Sequence, residues 1–499
     1  MNMLLRSKGK IGGYTADIRE LLTSSGVYAL ASLALPLVAL VLSPFLTHTL
    51  SRTDYGILAV LTTATSLLTG ITQFGLNNAF FRAYNYDYES REDKLAVLST
   101  VIILLALSSL PLALAVVWLA PWLALLLLGN SSYSNPVRLL ALIVVLQNLT
   151  VPGFSWLRAE SRAVFYAALS ILNLLVNLVM TVIFVGTFQL GVSGALLAVV
   201  VSYGLVVICT LPLILTRIKL RFRRDISWNL LSFGLPLVAN LVSIWALQLA
   251  DRFLLSRLGS LAETASYTVA YSLGGILGVL VLSPFSLAWP STMFAIAKRD
   301  DAVALFRLVF RWYSIFLLFA TFGLMLASVG ALYLFFPVSY YAAMPVIPIV
   351  ALSIMFFGMY NYFTVGISIR RKTWLAVLLT AMAALVNIGL NVILIPLYGS
   401  IGAAVATLAG YLLLAIGGYI VNQRLYPIPF EIGLFCLILS IGILLYGCGG
   451  LLVQMQKIDG IGALIIFIGL FCLYTGMQIY LCIHSSSTSE CHVNLSEKA

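Results

Sequence analysis

Two adjacent charges, Asp251 and Arg252, stand at the end of an apolar stretch that begins near Leu230. A carboxylate so placed suits uptake of a proton or cation, and a guanidinium suits bidentate capture of a phosphate. Neighbours on a helix point about 100° apart. Only one of the pair is therefore expected to face an internal path, leaving the other at a packing interface or snorkelling to the headgroup boundary. Arg82 follows another apolar stretch, and its fork of donors matches a phosphate, although a membrane-edge anchor is the plainer reading. Arg158, Glu160 and Arg162 form a charged group matched later by Arg370, Arg371 and Lys372, as a rim around a path would be; fixing topology is their plainer role. Arg307 and Arg311, four residues apart, share a helix face and suit contact with lipid phosphates. The pairs Asn173/Asn177 and Asn387/Asn391 each line one helix face, where hydrogen bonding between helices is their expected use.

Recognised catalytic patterns are missing. There is no Walker phosphate loop, no metal-ligand spacing and no Ser-His-Asp arrangement, and His48, His484 and His492 fall near or beyond the ends of apolar stretches. The six cysteines are scattered and read as small apolar residues. The expectation is a chain that is no enzyme, holds neither cofactor nor metal, and does not hydrolyse ATP.

The elements that position these groups follow from composition. Of 499 residues, 62% are hydrophobic and 9% charged, against about 25% charged in soluble domains. Fourteen apolar runs are long enough to cross a bilayer as helices: Gly26 to Thr47, Gly56 to Gly75, Leu95 to Leu119, Pro136 to Phe154, Ala163 to Val185, Gly194 to Leu215, Leu230 to Leu255, Thr264 to Pro290, Phe306 to Leu332, Pro345 to Ile367, Trp374 to Ile395, Ile401 to Val421, Ile432 to Leu452 and Ile461 to Ile483. Strict in/out alternation is lacking, which excludes a β-barrel. The fold class is an all-α polytopic membrane protein. The net charge of +11 is explained by topology rather than nucleic acid, because 23 of the 28 Lys and Arg fall on one side when the N-terminus is placed in the cytoplasm. Both termini are then cytoplasmic. The N-terminal segment is too polar to read as a cleaved signal peptide, and the Ser-rich tail from Ser485 is expected to be disordered.

The chain repeats itself. The segment Arg162 to Tyr203 matches Lys372 to Tyr411: each carries Leu-Val-Asn (Leu175 to Asn177; Leu385 to Asn387), then Gly, two residues and Gly-Ala (Gly191, Gly194, Ala195; Gly399, Gly402, Ala403). Runs one to six thus align with seven to twelve, and an even number of helices per repeat gives both halves one orientation. The expected division is residues 1–224 and 225–424 as two six-helix lobes about a central cavity, 425–484 as an added helix pair, and 485–499 as a tail.

Leu50 to Gly56, followed by Gly75 to Ala79 and Arg82, resembles the second-helix signature of bacterial polysaccharide flippases. So does Asp251 to Leu255 with Tyr267, Ala270, Tyr271, Trp289 and Pro290. The resemblance is to the Wzx-type oligosaccharide flippases of the multidrug/oligosaccharidyl-lipid/polysaccharide superfamily. It implies fourteen helices in two lobes about a V-shaped cavity, working in the bacterial inner membrane. It implies a cargo of undecaprenyl-pyrophosphate-linked sugar repeat units for O-antigen, lipopolysaccharide, capsule or exopolysaccharide, with Arg82 placed to meet the pyrophosphate. Membrane lipids, a polysaccharide polymerase and chain-length proteins are the implied partners, with proton or sodium coupling compatible. Two rivals share the architecture. A drug or cation antiporter of the MATE family usually has twelve helices, and a peptidoglycan-precursor flippase tends to carry arginines in its N-lobe cavity, whereas Gly26 to Thr47 has no charge. A surface glycosyl transferase would need a long external loop, and the longest external connection, Pro121 to Asn135, is uncharged.

Overall fold

A computed structural model describes residues 41–160, 162–218, 220–455, 462 and 465–481. Among these the chain is helical throughout its ordered elements, with no strand. Eleven helices are long and apolar enough to cross a membrane: Arg52–Asp87, Arg91–Trp118, Ser131–Ala159, Ala163–Thr187, Gly191–Leu215, Arg224–Leu258, Leu261–Pro290, Ala302–Phe335, Val346–Ile369, Trp374–Leu425 and Ile432–Leu452. They contain twelve of the fourteen expected runs. The first run lies mostly outside the described residues, and the last is represented by a shorter apolar helix, Ile465–Leu481. The signal-peptide and tail expectations concern residues that are not described.

Trp374–Leu425 accounts for two runs. Its 52 residues are broken at Gly399 (φ 55°, ψ −130°), a conformation that favours glycine. Asn387 Nδ2 donates to Thr407 Oγ1 at 3.2 Å across this break. Twenty residues of straight helix would hold the two about 30 Å apart, so the chain doubles back within one tight turn. A Cβ on Gly402 would collide with the Leu394 carbonyl. The repeat's first copy uses the same device: Gly191 has φ 58°, and a Cβ on Gly194 would press on Phe184 O at 3.0 Å.

One expected connection is itself helical. Pro121 to Asn135 includes the helix Ala120–Leu128, started by proline and ended by Gly129 at φ 76°. Its run Trp-Leu-Ala-Leu-Leu-Leu-Leu favours helix over loop. Arg257 Nη1 donates to Leu125 O at 3.2 Å and Ser256 Oγ to Leu127 O at 3.3 Å, holding the end of this short helix. The Arg52–Asp87 span is broken too, by successive left-handed residues Phe74 (φ 49°) and Gly75 (φ 66°).

The chain forms two compact units: residues up to Thr268 with Ile388–Ala403, and Val269–Asn387 with the chain from Ala404 onward. Arg224–Leu258, expected from the sequence to open the second lobe, packs within the first compact unit. The first unit has a core of Leu76, Phe80, Val97, Val101, Leu105, Leu157, Ile226 and Leu230. The second is centred on near-parallel rings: Phe285 lies 4.1 Å from Tyr313, and Trp289 lies 4.7 Å from Tyr362. Tyr362 donates to Phe306 O at 2.6 Å. The added helices dock in this unit, where Gln478 Nε2 donates to Ile315 O at 2.7 Å and the Phe322 ring fills the space a Cβ on Gly442 would need.

Candidate functional site

The first unit gathers its basic loops at one end. Arg223 bridges the carboxylates of Asp93 and Asp225, and these raise its already high pKa further, Asp225 having the larger influence. Arg221 donates its backbone N–H to Ser99 Oγ at 2.8 Å. The connection after Leu215 is thereby pinned onto the Arg91–Trp118 helix.

Arg82 ends the short Leu76–Arg82 helix and remains largely exposed, its side chain at 53% of full accessibility. Its Nε lies 3.5 Å from Asp87, and its guanidinium stands 4.9 Å over the Phe233 ring. A pocket of about 650 Å³ opens here, lined by Arg82, Tyr86, Asp87, Tyr88, Asn229, Ser232 and Phe233 among others. Asn229 Nδ2 donates to Tyr88 OH at 3.0 Å. Arg158 stacks over Phe81 at 4.6 Å, and Glu160 accepts a hydrogen bond from Tyr84. Arg82, Arg158 and Glu160 thus meet through the single segment 81–84.

Asp251 and Arg252 lie on the same helix as Asn229, 22 residues on, which at the helical rise is about 33 Å away. The two candidate sets therefore occupy opposite ends of a span. The expectation that Asp251 and Arg252 point apart does not hold. Both are buried, at 1% and 7%, and Arg252 Nη1 lies 3.5 Å from Asp251 Oδ1. Backbone direction does separate them, but the arginine stem is long enough to curl back, and Arg252 also donates to Gln248 O at 3.1 Å. Tyr267 OH donates to the second carboxylate oxygen. Tyr55, on the Arg52–Thr72 helix, shares a 2.9 Å hydrogen bond with Ser43. Nearby, Arg52 reaches Ser266 Oγ at 2.8 Å.

Between these ends runs a column of polar contacts missed by the sequence reading. Trp245 Nε1 donates to Ser66 Oγ at 3.0 Å, Thr69 to Gln147 Oε1 at 2.7 Å, Asn148 to Thr72 Oγ1 at 2.8 Å, and Ser155 to Asn77 Oδ1 at 2.9 Å. The three-residue spacing of Ser66, Thr69 and Thr72, which puts them on one helix face, was the available signal. Of the expected asparagines, Asn387 bonds across its hairpin as described, whereas Asn177 accepts from Thr181 of its own helix at 3.3 Å.

Arg307 and Arg311 belong to the second unit and share one partner. Arg307 Nη2 lies 3.0 Å from Glu431 Oε1, and Arg311 Nε 3.6 Å from Glu431 Oε2. No local sequence pattern links Glu431 to these arginines, because 120 or more residues separate it from both.

The fold has solved counterparts. A structure described as the lipid II flippase MurJ in an inward closed conformation matches with a TM-score of 0.70 at 15% identity, over 91% of this chain and 99% of that one. An inward-facing multidrug resistance MATE family transporter of the MOP superfamily matches with a TM-score of 0.61 at 16% identity, over 79% and 97%. A variant of the Vibrio cholerae MATE transporter VcmN matches with 0.57 at 16% identity, over 81% and 96%. At such identities these likenesses establish a shared fold. Comparison with curated proteins gave no match. The family described as polysaccharide biosynthesis protein matches residues 21–295, more than half of the sequence and the whole of the region that carries Arg82, Arg158, Glu160, Asp251 and Arg252. This multi-pass helical membrane protein belongs to the polysaccharide biosynthesis protein family.

Proposed function

We propose that the protein is a flippase carrying undecaprenyl-pyrophosphate-linked oligosaccharide units across the bacterial cytoplasmic membrane by alternating access, for O-antigen, lipopolysaccharide, capsule or exopolysaccharide assembly. The observation that carries this reading is the pocket around Arg82. A guanidinium there stands beside tyrosine, asparagine and serine side chains, a cation for phosphate together with hydroxyl and amide partners for sugar. Family membership points the same way. In this reading the pocketed end is cytoplasmic, as are both termini, and residues 1–224 and 225–424 act as lobes, with 425–484 as an added pair. Arg82 and Arg158 take the pyrophosphate from the cytoplasmic leaflet, and the column from Asn77 to Ser66 offers hydroxyls and amides along the span.

Asp251 is the candidate for proton or sodium coupling. Among the described residues it is the only buried carboxylate. Its charge is balanced by Arg252 and a tyrosine donor, so protonation would leave Arg252 uncompensated and favour a rearrangement. A polymerase and chain-length proteins would consume the product.

Proteoliposomes loaded with a fluorescent undecaprenyl-pyrophosphate oligosaccharide test this. Translocation by the native protein, lost in Arg82→Ala, supports the reading. Absence of translocation together with uptake of a cationic dye under a proton gradient replaces it with a drug antiporter. Translocation of a peptidoglycan precursor alone moves the assignment to that cargo.

A further inference from the structure

At the basic end of the first unit two guanidiniums share one indole. Arg162 stands 5.1 Å and Arg217 5.2 Å from the Trp156 ring. Three helix ends meet there: Trp156 lies in the last turn of Ser134–Ala159, Arg162 immediately precedes Ala163–Thr181, and Arg217 follows Gly191–Leu215. The ring is buried while both arginines are exposed, so a fixed platform sets the spacing of two surface cations.

Four acidic groups of this end are engaged elsewhere. Asp93 and Asp225 hold Arg223, Asp87 holds Arg82, and Glu160 accepts from Tyr84. Among the described residues neither Arg162 nor Arg217 has a carboxylate within ion-pair reach. Two like charges held together with their donor forks unfilled call for an anion with more than one negative centre. Beside each arginine the surface turns apolar: Val164 and Phe165 follow Arg162, and Leu213 and Leu215 precede Arg217, all four exposed. Cations at helix ends with exposed apolar flanks along the same helices fit an amphiphile, its head at the arginines and its chains along the helices.

We propose that Arg162, Trp156 and Arg217 form a headgroup site for an anionic phospholipid bearing two phosphates, a resident lipid bound apart from the pocket at Arg82. Trp156 positions both guanidiniums, each takes one phosphate, and the exposed apolar residues receive acyl chains. The site depends only on the protein being embedded in a membrane, so it stands whichever cargo is carried.

Native mass spectrometry of the full chain released from detergent, incubated with cardiolipin or with phosphatidylcholine, tests this. The expected result is retention of cardiolipin and not of phosphatidylcholine, falling roughly tenfold or more in Arg162→Gln/Arg217→Gln, while Arg138→Gln, placed elsewhere, keeps native retention. Should the double variant fail to fold, Arg217→Gln alone is expected to lose retention severalfold. Retention undiminished in the variants, or equal retention of phosphatidylcholine, overturns the proposal. Displacement of cardiolipin by an equal concentration of inorganic pyrophosphate also overturns it, since the site would then take free phosphate groups rather than a lipid.

Discussion

Gly75 and Gly234 meet backbone to backbone: a Cβ on Gly75 would stand 2.5 Å from the Gly234 carbonyl oxygen, and a Cβ on Gly234 would run into the Phe74 carbonyl. The two chain segments bracket the polar column at its pocketed end. Close approach of this kind is what small residues permit between helices in a bilayer. Gly234→Ala is therefore expected to cost about 1–3 kcal/mol through overpacking, seen as a lowered melting temperature in detergent. An unchanged melting temperature would mean that the helices part there at no cost.

Asp251 and Arg252 should behave as a unit. Asp251→Ala leaves a buried guanidinium without its carboxylate, a loss of roughly 3–5 kcal/mol in comparable buried pairs. Asp251→Ala/Arg252→Leu is expected to be less damaging than Asp251→Ala alone. A thermal-melt double-mutant cycle reads the coupling, and strict additivity would show that the pair does not interact.

Arg82→Ala should separate activity from stability. Its ion pair with Asp87 is largely exposed, and such pairs contribute roughly 0–1 kcal/mol. Melting should barely change while translocation falls. Equal loss of both would make Arg82 a structural anchor.

Glu431→Gln should loosen the helix that begins at Ile432. Arg311 is the partner that matters, its side chain at 10% exposure against 44% for Arg307. Arg311→Gln is expected to destabilise by about 1–3 kcal/mol and Arg307→Gln by under about 1 kcal/mol. Proteolysis rates of the purified variants, compared with native protein, give the ranking.

Gln478→Leu removes a donor to Ile315 O inside the second unit. Hydrogen bonds between membrane helices average about 0.6 kcal/mol and reach about 1.7, so a small loss of melting temperature is expected. A rise would show that apolar packing suffices at this contact.

Much of the architecture was legible because a bilayer imposes one length scale and one hydrogen-bonding solution on every span. The Gly191 and Gly399 turns were visible as a repeated motif before their left-handed backbone was known. Pairings across distance were not visible. Glu431 could not be matched to Arg307 and Arg311 by any local rule, and neither Gly75 nor Gly234 announces that another backbone presses on it. The Asp251 and Arg252 reading erred in a specific way: angular spacing describes where Cβ points, whereas a flexible arginine places its charge wherever its stem can fold. Tyr267 belonged to the recognised motif, but nothing in the sequence marked its hydroxyl as the donor to Asp251. At the other end, the loops showed where cations accumulate without showing that Arg223 is neutralised and that Arg162 and Arg217 are not.

The reversal at Gly399 bears on how the chain enters the membrane at all. From Trp374 to Asn422 the sequence carries no Lys, Arg, Asp or Glu, and the turn consists of hardly more than the glycine itself. An insertion machine meeting this stretch finds no hydrophilic stop at which to release the first helix before the second arrives. The two helices are therefore expected to partition into lipid together as a hairpin, in which the Asn387 to Thr407 hydrogen bond shields both polar side chains from hydrocarbon. A residue that cannot adopt the left-handed conformation at position 399 would then be felt first during synthesis, as failed integration of the hairpin rather than as impaired function of a finished protein.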